Sequence, residues 1–188
     1  MRVVTGNFTL AAFKVQHSSE RLYRAFLQER DVLLHATHPN IVELLGYSDD
    51  GDQGVLVFEY VSNGTLHEKL HCNGGHMVGS PGYADPHYLR TGIISKKSDV
   101  YSFGVLILEM VTGIAAVGLD DEKMLTVVMR ERGWDRLEEI VDPTLRTSFD
   151  AGELEVLGDI AGRCVGDRPG LRPSMGEILR IMRERVKL

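Results

Sequence analysis

The chain has 188 residues, a length that holds one ordinary domain or two small lobes, and its apolar fraction is large enough for a real core. A net charge of −6 with scattered basic residues gives no electrostatic footprint for nucleic acid. Two cysteines, Cys72 and Cys164, make no disulfide framework and fit a reducing compartment. The longest apolar stretch, Phe103 to Val111, is interrupted by Glu109 and falls well short of a membrane span of ~20 residues. A cytoplasmic protein, with any membrane association made through partners, is the expectation.

In chain order, Thr9 to Gln16 is rich in strand formers. Ser18 is placed to cap a helix with Glu20 in its first turn, and Leu22, Phe26, Glu29 and Leu33 then share one helical face. His38-Pro39-Asn40 closes that helix as a turn. Ile41 to Tyr47 and Val55 to Tyr60 are predicted strands, joined by the polar loop from Asp49 to Gly54. After Asn63-Gly64 the pattern turns helical. Thr65 to Leu70 forms a short helix, and Cys72 to Pro86 is a Gly-rich loop. From Asp99 to Thr112 the chain is apolar on nearly every side, so this helix should be buried all round, with Gly113 as its stop. Helices follow at about Glu122 to Glu131, Gly152 to Val165 and Met175 to Val186, the last opened by the capping box Ser174-Met175-Gly176-Glu177. Trp134 is expected to pack a loop, and Cys164 to be inert core.

Two charges stand on apolar faces. Lys14 shares a strand face with Leu10 and Ala12, and Glu29 lies on the apolar stripe of the first helix. A charge aimed at a core needs a partner, and the simplest solution pairs them. The alternative is that Lys14 snorkels at a strand edge while Glu29 sits at the stripe margin.

Ala11-Ala12-Phe13-Lys14 resembles the V-A-I-K strand of protein kinases, whose lysine holds ATP phosphates and pairs with a helix glutamate. His38 to Tyr47 is similar to the stretch after that helix in plant receptor-like kinases. Leu56 to Tyr60 looks like their hinge strand with Phe58 as gatekeeper, and Asn63-Gly64-Thr65-Leu66 like the turn beyond it. Gly79-Ser80-Pro81-Gly82-Tyr83 resembles the end of the activation segment. Lys97 to Gly104 resembles the buried central helix, and Arg172-Pro173-Ser174-Met175 the entry to the last helix. The resemblance runs in order along almost the whole chain. It implies an α+β, protein-kinase-like bilobal fold, incomplete: a small sheet with one helix over residues 1–62, a shortened connection over 63–78, and a mainly helical lobe over 79–188. It also implies ATP-dependent phosphorylation of protein serine or threonine as the family activity. Lys14, Glu29, Ala12, Phe58, Glu59 and Val61 then line a vestigial ATP pocket.

The family's chemistry needs an aspartate in H-R-D-L-x-x-x-N and the magnesium-holding aspartate of D-F-G. Here eight residues, His71 to Val78, separate Leu70 from Gly79, and neither motif lies among them. No G-x-G-x-x-G precedes Lys14. Arg30-Asp31 imitates part of H-R-D inside the first helix, and Ser102-Phe103-Gly104 imitates D-F-G inside the buried one. Neither Asp31 nor Asp99 is assigned a catalytic role. The family's A-P-E triplet is replaced by Asp85-Pro86-His87. In the family the triplet's glutamate pairs with the arginine held here by Arg172, and a mostly neutral histidine cannot replace it, so weak anchoring of this segment is expected. By resemblance Ser80 and Tyr83 sit where the family positions substrate and is sometimes phosphorylated; the alternative, favoured here, is an ordinary turn around Pro81-Gly82.

The resulting expectation is a catalytically deficient, pseudokinase-like chain: weak or absent ATP binding, no magnesium held, no catalytic residue, and a role that is at most binding, with an intact kinase relative or its protein partners. One alternative is a splice form or incomplete gene reading of an active, ATP-binding kinase. The other is a zinc site at His67-Glu68-Lys69-Leu70-His71, an H-E-x-x-H match with His76 one residue out of register and Cys72 as a further donor. Removal of the missing segment is also expected to leave the central helix with uncovered apolar surface.

Overall fold

The computed structural model describes residues 2–3, 10–16, 19–49, 53–71, 82–117, 123–145 and 149–186. The chain divides into two units, one ending at Thr65 and one beginning at Leu66. In the first unit, β1 (Arg2–Val3), β2 (Ala11–Gln16), β3 (Leu44–Ser48) and β4 (Gly54–Glu59) form an antiparallel sheet in the order β1-β3-β4-β2. Helix α1 (Glu20–Leu33) supplies Phe26 to a core shared with Leu44, Tyr47 and Leu56, flanked by Tyr23, Leu27, Leu33 and Phe58. Gly54 is required where β4 begins, because a Cβ there would lie 2.6 Å from the Phe26 ring.

Three sequence expectations are corrected in this unit. The cap of α1 is Ser19, whose side chain accepts the Leu22 N–H at 3.2 Å; Ser18 lies outside the described residues. The helix ends at Leu33, before His38-Pro39-Asn40. Strand β3 starts at Leu44 because the His38 carbonyl takes the Ile41 N–H at 3.0 Å, leaving Ile41 and Val42 exposed in a turn.

The second unit holds α2 (Leu66–Leu70), α3 (Pro86–Thr91), α4 (Lys96–Thr112), α5 (Leu125–Arg132), α6 (Ala151–Cys164) and α7 (Met175–Arg185), with 3-10 turns at Trp134–Ile140 and Pro169–Leu171. Helix α4 is the central post. Its Val100, Ile107, Leu108 and Val111 join Leu125 and Met129 of α5, Ile160 and Ala161 of α6, and Ile178 of α7 in one core. On its other side Tyr101 and Val105 pack with Ala116 and Val165. Burial on both sides is what an apolar helix without a polar face requires; of its large apolar residues Met110 is exposed and Phe103 and Leu106 are half-buried, so the expected uncovering is partial. Helices α4 and α6 approach closely at Gly104, where an added Cβ would sit 2.5 Å from the Cys164 Cβ.

The stop of α4 and the start of α7 follow the sequence, while α4 begins at Lys96, three residues before the expected Asp99. Ser95 accepts the Lys97 N–H, and Gly113 at φ 67° ends α4 by donating to the Glu109 carbonyl. Ser174 and Glu177 form the reciprocal capping box of α7. Helix α3 begins at Pro86, the last residue of the expected loop, of which residues 72–81 lie outside the described residues; Asp85 caps it by accepting the His87 N–H at 2.9 Å, with proline in the first turn. Trp134 packs against Gly162 and both core clusters. Cys164 is fully buried, and burial pushes its thiol up to about 11, so it is inert core.

Candidate functional site: a paired lysine and glutamate, and a buried carboxylate network

Antiparallel pairing places Lys14 of β2 opposite Leu56 and Ala12 opposite Phe58. Residues opposite each other in a ladder share a sheet face, and Leu56 and Phe58 belong to the core beneath α1. Lys14 therefore reaches the helix side, where its Nζ donates to both carboxylate oxygens of Glu29, at 2.7 and 2.8 Å. The pair read from the sequence forms, but in a different setting. The side chains remain 51% and 38% exposed, and Leu10 and Ala12 are exposed as well. The face read as core-directed is open because β2 is the last strand in the sheet order. Exposed ion pairs contribute roughly 0.2–1 kcal/mol. Lys14→Ala should accordingly lower stability by less than about 1 kcal/mol in urea denaturation, and a larger loss would show that the lysine is structural.

The remaining pocket positions are spread along β4 and beyond it. Phe58 is part-buried against the Phe26 cluster. Glu59 is used by the fold: its N–H donates to the Glu43 carbonyl at 3.0 Å, and its carboxylate accepts the Glu43 N–H at 2.9 Å. Val61 is exposed. Among the described residues, no group of three metal-ligating side chains includes Glu29. Asp31 stays on α1, engaged by the Arg30 guanidinium at 2.7 Å, and Asp99 is an exposed residue in the first turn of α4.

The largest correction concerns Arg172. The expectation of weak anchoring rested on His87, two residues beyond the group that does the work. Asp85 meets Arg172 in a two-pronged ion pair at 2.8 and 2.9 Å, with both side chains 1% exposed. The Arg172 Nε donates to the Gly166 carbonyl at 2.8 Å, its Nη1 to the Lys97 carbonyl at 2.9 Å, and the guanidinium lies over the Tyr101 ring at 5.1 Å. Ser98 Oγ donates to Asp85 at 3.2 Å. The planar fork of arginine suits this bidentate geometry. One signal for it was available in the sequence: an aspartate immediately before a proline is a helix cap, and a capping carboxylate keeps a second oxygen for another donor.

A second network surrounds Glu109, which is 2% exposed near the end of α4. Its Oε1 lies 2.8 Å from His71 Nε2 and accepts the Ala116 N–H at 3.3 Å; its Oε2 accepts the Tyr83 hydroxyl. Tyr83, read as an ordinary turn residue, is thus tied to α4. Ser80, Cys72 and His76 lie outside the described residues.

The chain is similar in sequence to known proteins. Residues 6–80 match the family model of the protein tyrosine and serine/threonine kinase. Salt tolerance receptor-like cytoplasmic kinase 1 of Oryza sativa subsp. japonica is 38% identical over 256 aligned positions, covering 94% of this chain and 70% of the relative. A probable receptor-like protein kinase of Arabidopsis thaliana is 31% identical, covering 89% and 75%. A protein of Selaginella moellendorffii named an inactive protein kinase is 32% identical over 85% of this chain and 32% of its own length. The chain belongs to the receptor-like protein kinase family of plants. That family works with ATP and magnesium. The rice alignment spans more positions than this chain's 188 residues, so the surplus is sequence of the relative without a counterpart here. No helix among the described residues is long and apolar enough to cross a membrane.

Proposed function

We propose that this chain is a kinase-derived binding module that does not transfer phosphoryl groups. The observation that carries the reading is the eight-residue interval between Leu70 and Gly79, which holds neither an aspartate to take the acceptor's proton nor one to hold magnesium. Enzymes lower barriers by ~8–23 kcal/mol, and kinases do so mainly by positioning and by neutralising phosphate charge with metal. Lys14 paired with Glu29 supplies one cation and no metal ligand. A nucleotide touching Lys14, Ala12, Phe58, Glu59 and Val61 would be held weakly. The module's role is then to engage an intact kinase relative, or that relative's protein partners, in the cytoplasm. The relative named inactive supports this reading by analogy.

The test is phosphate transfer from labelled ATP with magnesium to a general protein substrate, run beside Lys14→Ala. The expected result is no turnover above that of the variant. Turnover that Lys14→Ala abolishes overturns the proposal.

A second reading is favoured by the surplus positions in the rice alignment: this chain is a splice form or incomplete reading of a gene whose full product is an active kinase. Sequencing transcripts across the codons for Leu70 to Gly79 separates the two. A single transcript species carrying a longer insert there supports the second reading.

A further inference from the structure

We propose that His67, His71 and Glu109 form a zinc site that clamps α2 to α4 within the second unit, independently of any kinase activity. The H-E-x-x-H spacing puts His67 on α2 and His71 one turn later, just past its last residue, where its N–H donates to the His67 carbonyl at 2.9 Å; the ring centroids are 4.9 Å apart. The third ligand is absent from any local motif: it is Glu109, 38 residues beyond His71. One donor atom from each of the three side chains lies within 4.8 Å of the other two. Zinc bonds imidazole nitrogen and carboxylate oxygen at ~2.0–2.2 Å. An ion bound there replaces the contact between His71 Nε2 and Glu109 Oε1, and His67 closes in by a side-chain rotation.

Two features make this a better site than a chance pair of histidines. Glu109 is a buried carboxylate whose charge needs compensation, which a divalent cation supplies more fully than a single imidazole. Its two oxygens are also already divided. Oε1 meets His71 and accepts the Ala116 N–H, while Oε2 is held by the Tyr83 hydroxyl, so the carboxylate is oriented by its neighbours as metal-binding carboxylates are. Two imidazoles and one carboxylate suit zinc rather than magnesium or calcium, which favour oxygen-only cages. Three protein ligands leave a fourth position for water or for a donor from elsewhere.

The experiment is equilibrium dialysis of untagged, chelator-treated full-length chain against zinc chloride, followed by metal analysis. The expected result is one zinc per chain. His67→Ala, whose circular dichroism should match the parent because His67 is outside both core clusters, should weaken binding by more than the roughly 10–100-fold typical of losing a supporting residue. Tyr83→Phe should fall within that smaller range. Absence of stoichiometric zinc overturns the proposal. So does zinc that His67→Ala retains at undiminished affinity, since the ion then sits elsewhere.

Discussion

Asp85→Ala should cost about 3–5 kcal/mol of stability, the loss typical when one partner of a buried ion pair is removed. Arg172 would keep its donors to the Gly166 and Lys97 carbonyls but lose the carboxylate that balances its charge, at a place water does not reach. Part of the loss, about 1 kcal/mol, belongs to the vanished cap of α3. Asp85→Asn separates the two effects, since its amide oxygen still caps while its charge is gone; it should recover only the cap. The double variant Asp85→Ala/Arg172→Met should be less destabilised than Asp85→Ala alone, because no orphan charge remains. Urea denaturation measures all three. A loss below about 1 kcal/mol for Asp85→Ala would mean that the pair is solvated in solution.

The same pair sets an acid limit. Burial alone pushes the Asp85 carboxyl up, but the hydrogen bond from Arg172, the His87 N–H, the guanidinium charge and Ser98 together hold it below its ordinary value. The folded pKa is therefore depressed relative to the unfolded chain. The associated stability is complete above the ordinary aspartate value of about 4 and is lost as pH falls from there through the lowered folded value. Asp85→Asn should flatten this part of the stability profile, which a series of urea melts across acid pH would read.

Phe26→Ala should be the most damaging single truncation in the first unit, at about 3–5 kcal/mol. Among the described residues of this unit Phe26 is the largest fully buried side chain, and it joins α1 to Leu44, Tyr47 and Leu56 of the sheet. The ring also fills the space above Gly54, so removing it opens a hole against backbone that has no side chain to move in. Hydrogen exchange of the β3 and β4 amides should accelerate accordingly. Unchanged protection there would place the core of this unit elsewhere.

The parts legible in the sequence were those governed by local pattern. An apolar run from Val100 to Val111 announced α4 because no orientation of such a helix can face water cheaply. Ser174 and Glu177, three apart, announced the start of α7. Lys14 and Glu29 were paired because each was an anomaly on its own segment, although the openness of β2 depends on sheet order and could not be read locally. What stayed hidden were contacts between distant residues. Asp85 and Arg172 lie 87 residues apart, and the triplet's third position, where the family carries its carboxylate, is His87. Glu109 looked like an interruption in an apolar stretch; its use by His71, Tyr83 and Ala116 emerges only when four separate segments meet.

The separation of Asp85 and Arg172 has a consequence for biosynthesis. Closing so long a loop carries an entropic cost before any contact rewards it. A chain emerging amino end first exposes its aspartate well before the arginine that neutralises it exists, so throughout translation of the intervening helices that carboxylate must stay hydrated at the surface of a half-made lobe. Docking of this segment is thereby deferred until Arg172 has left the ribosome.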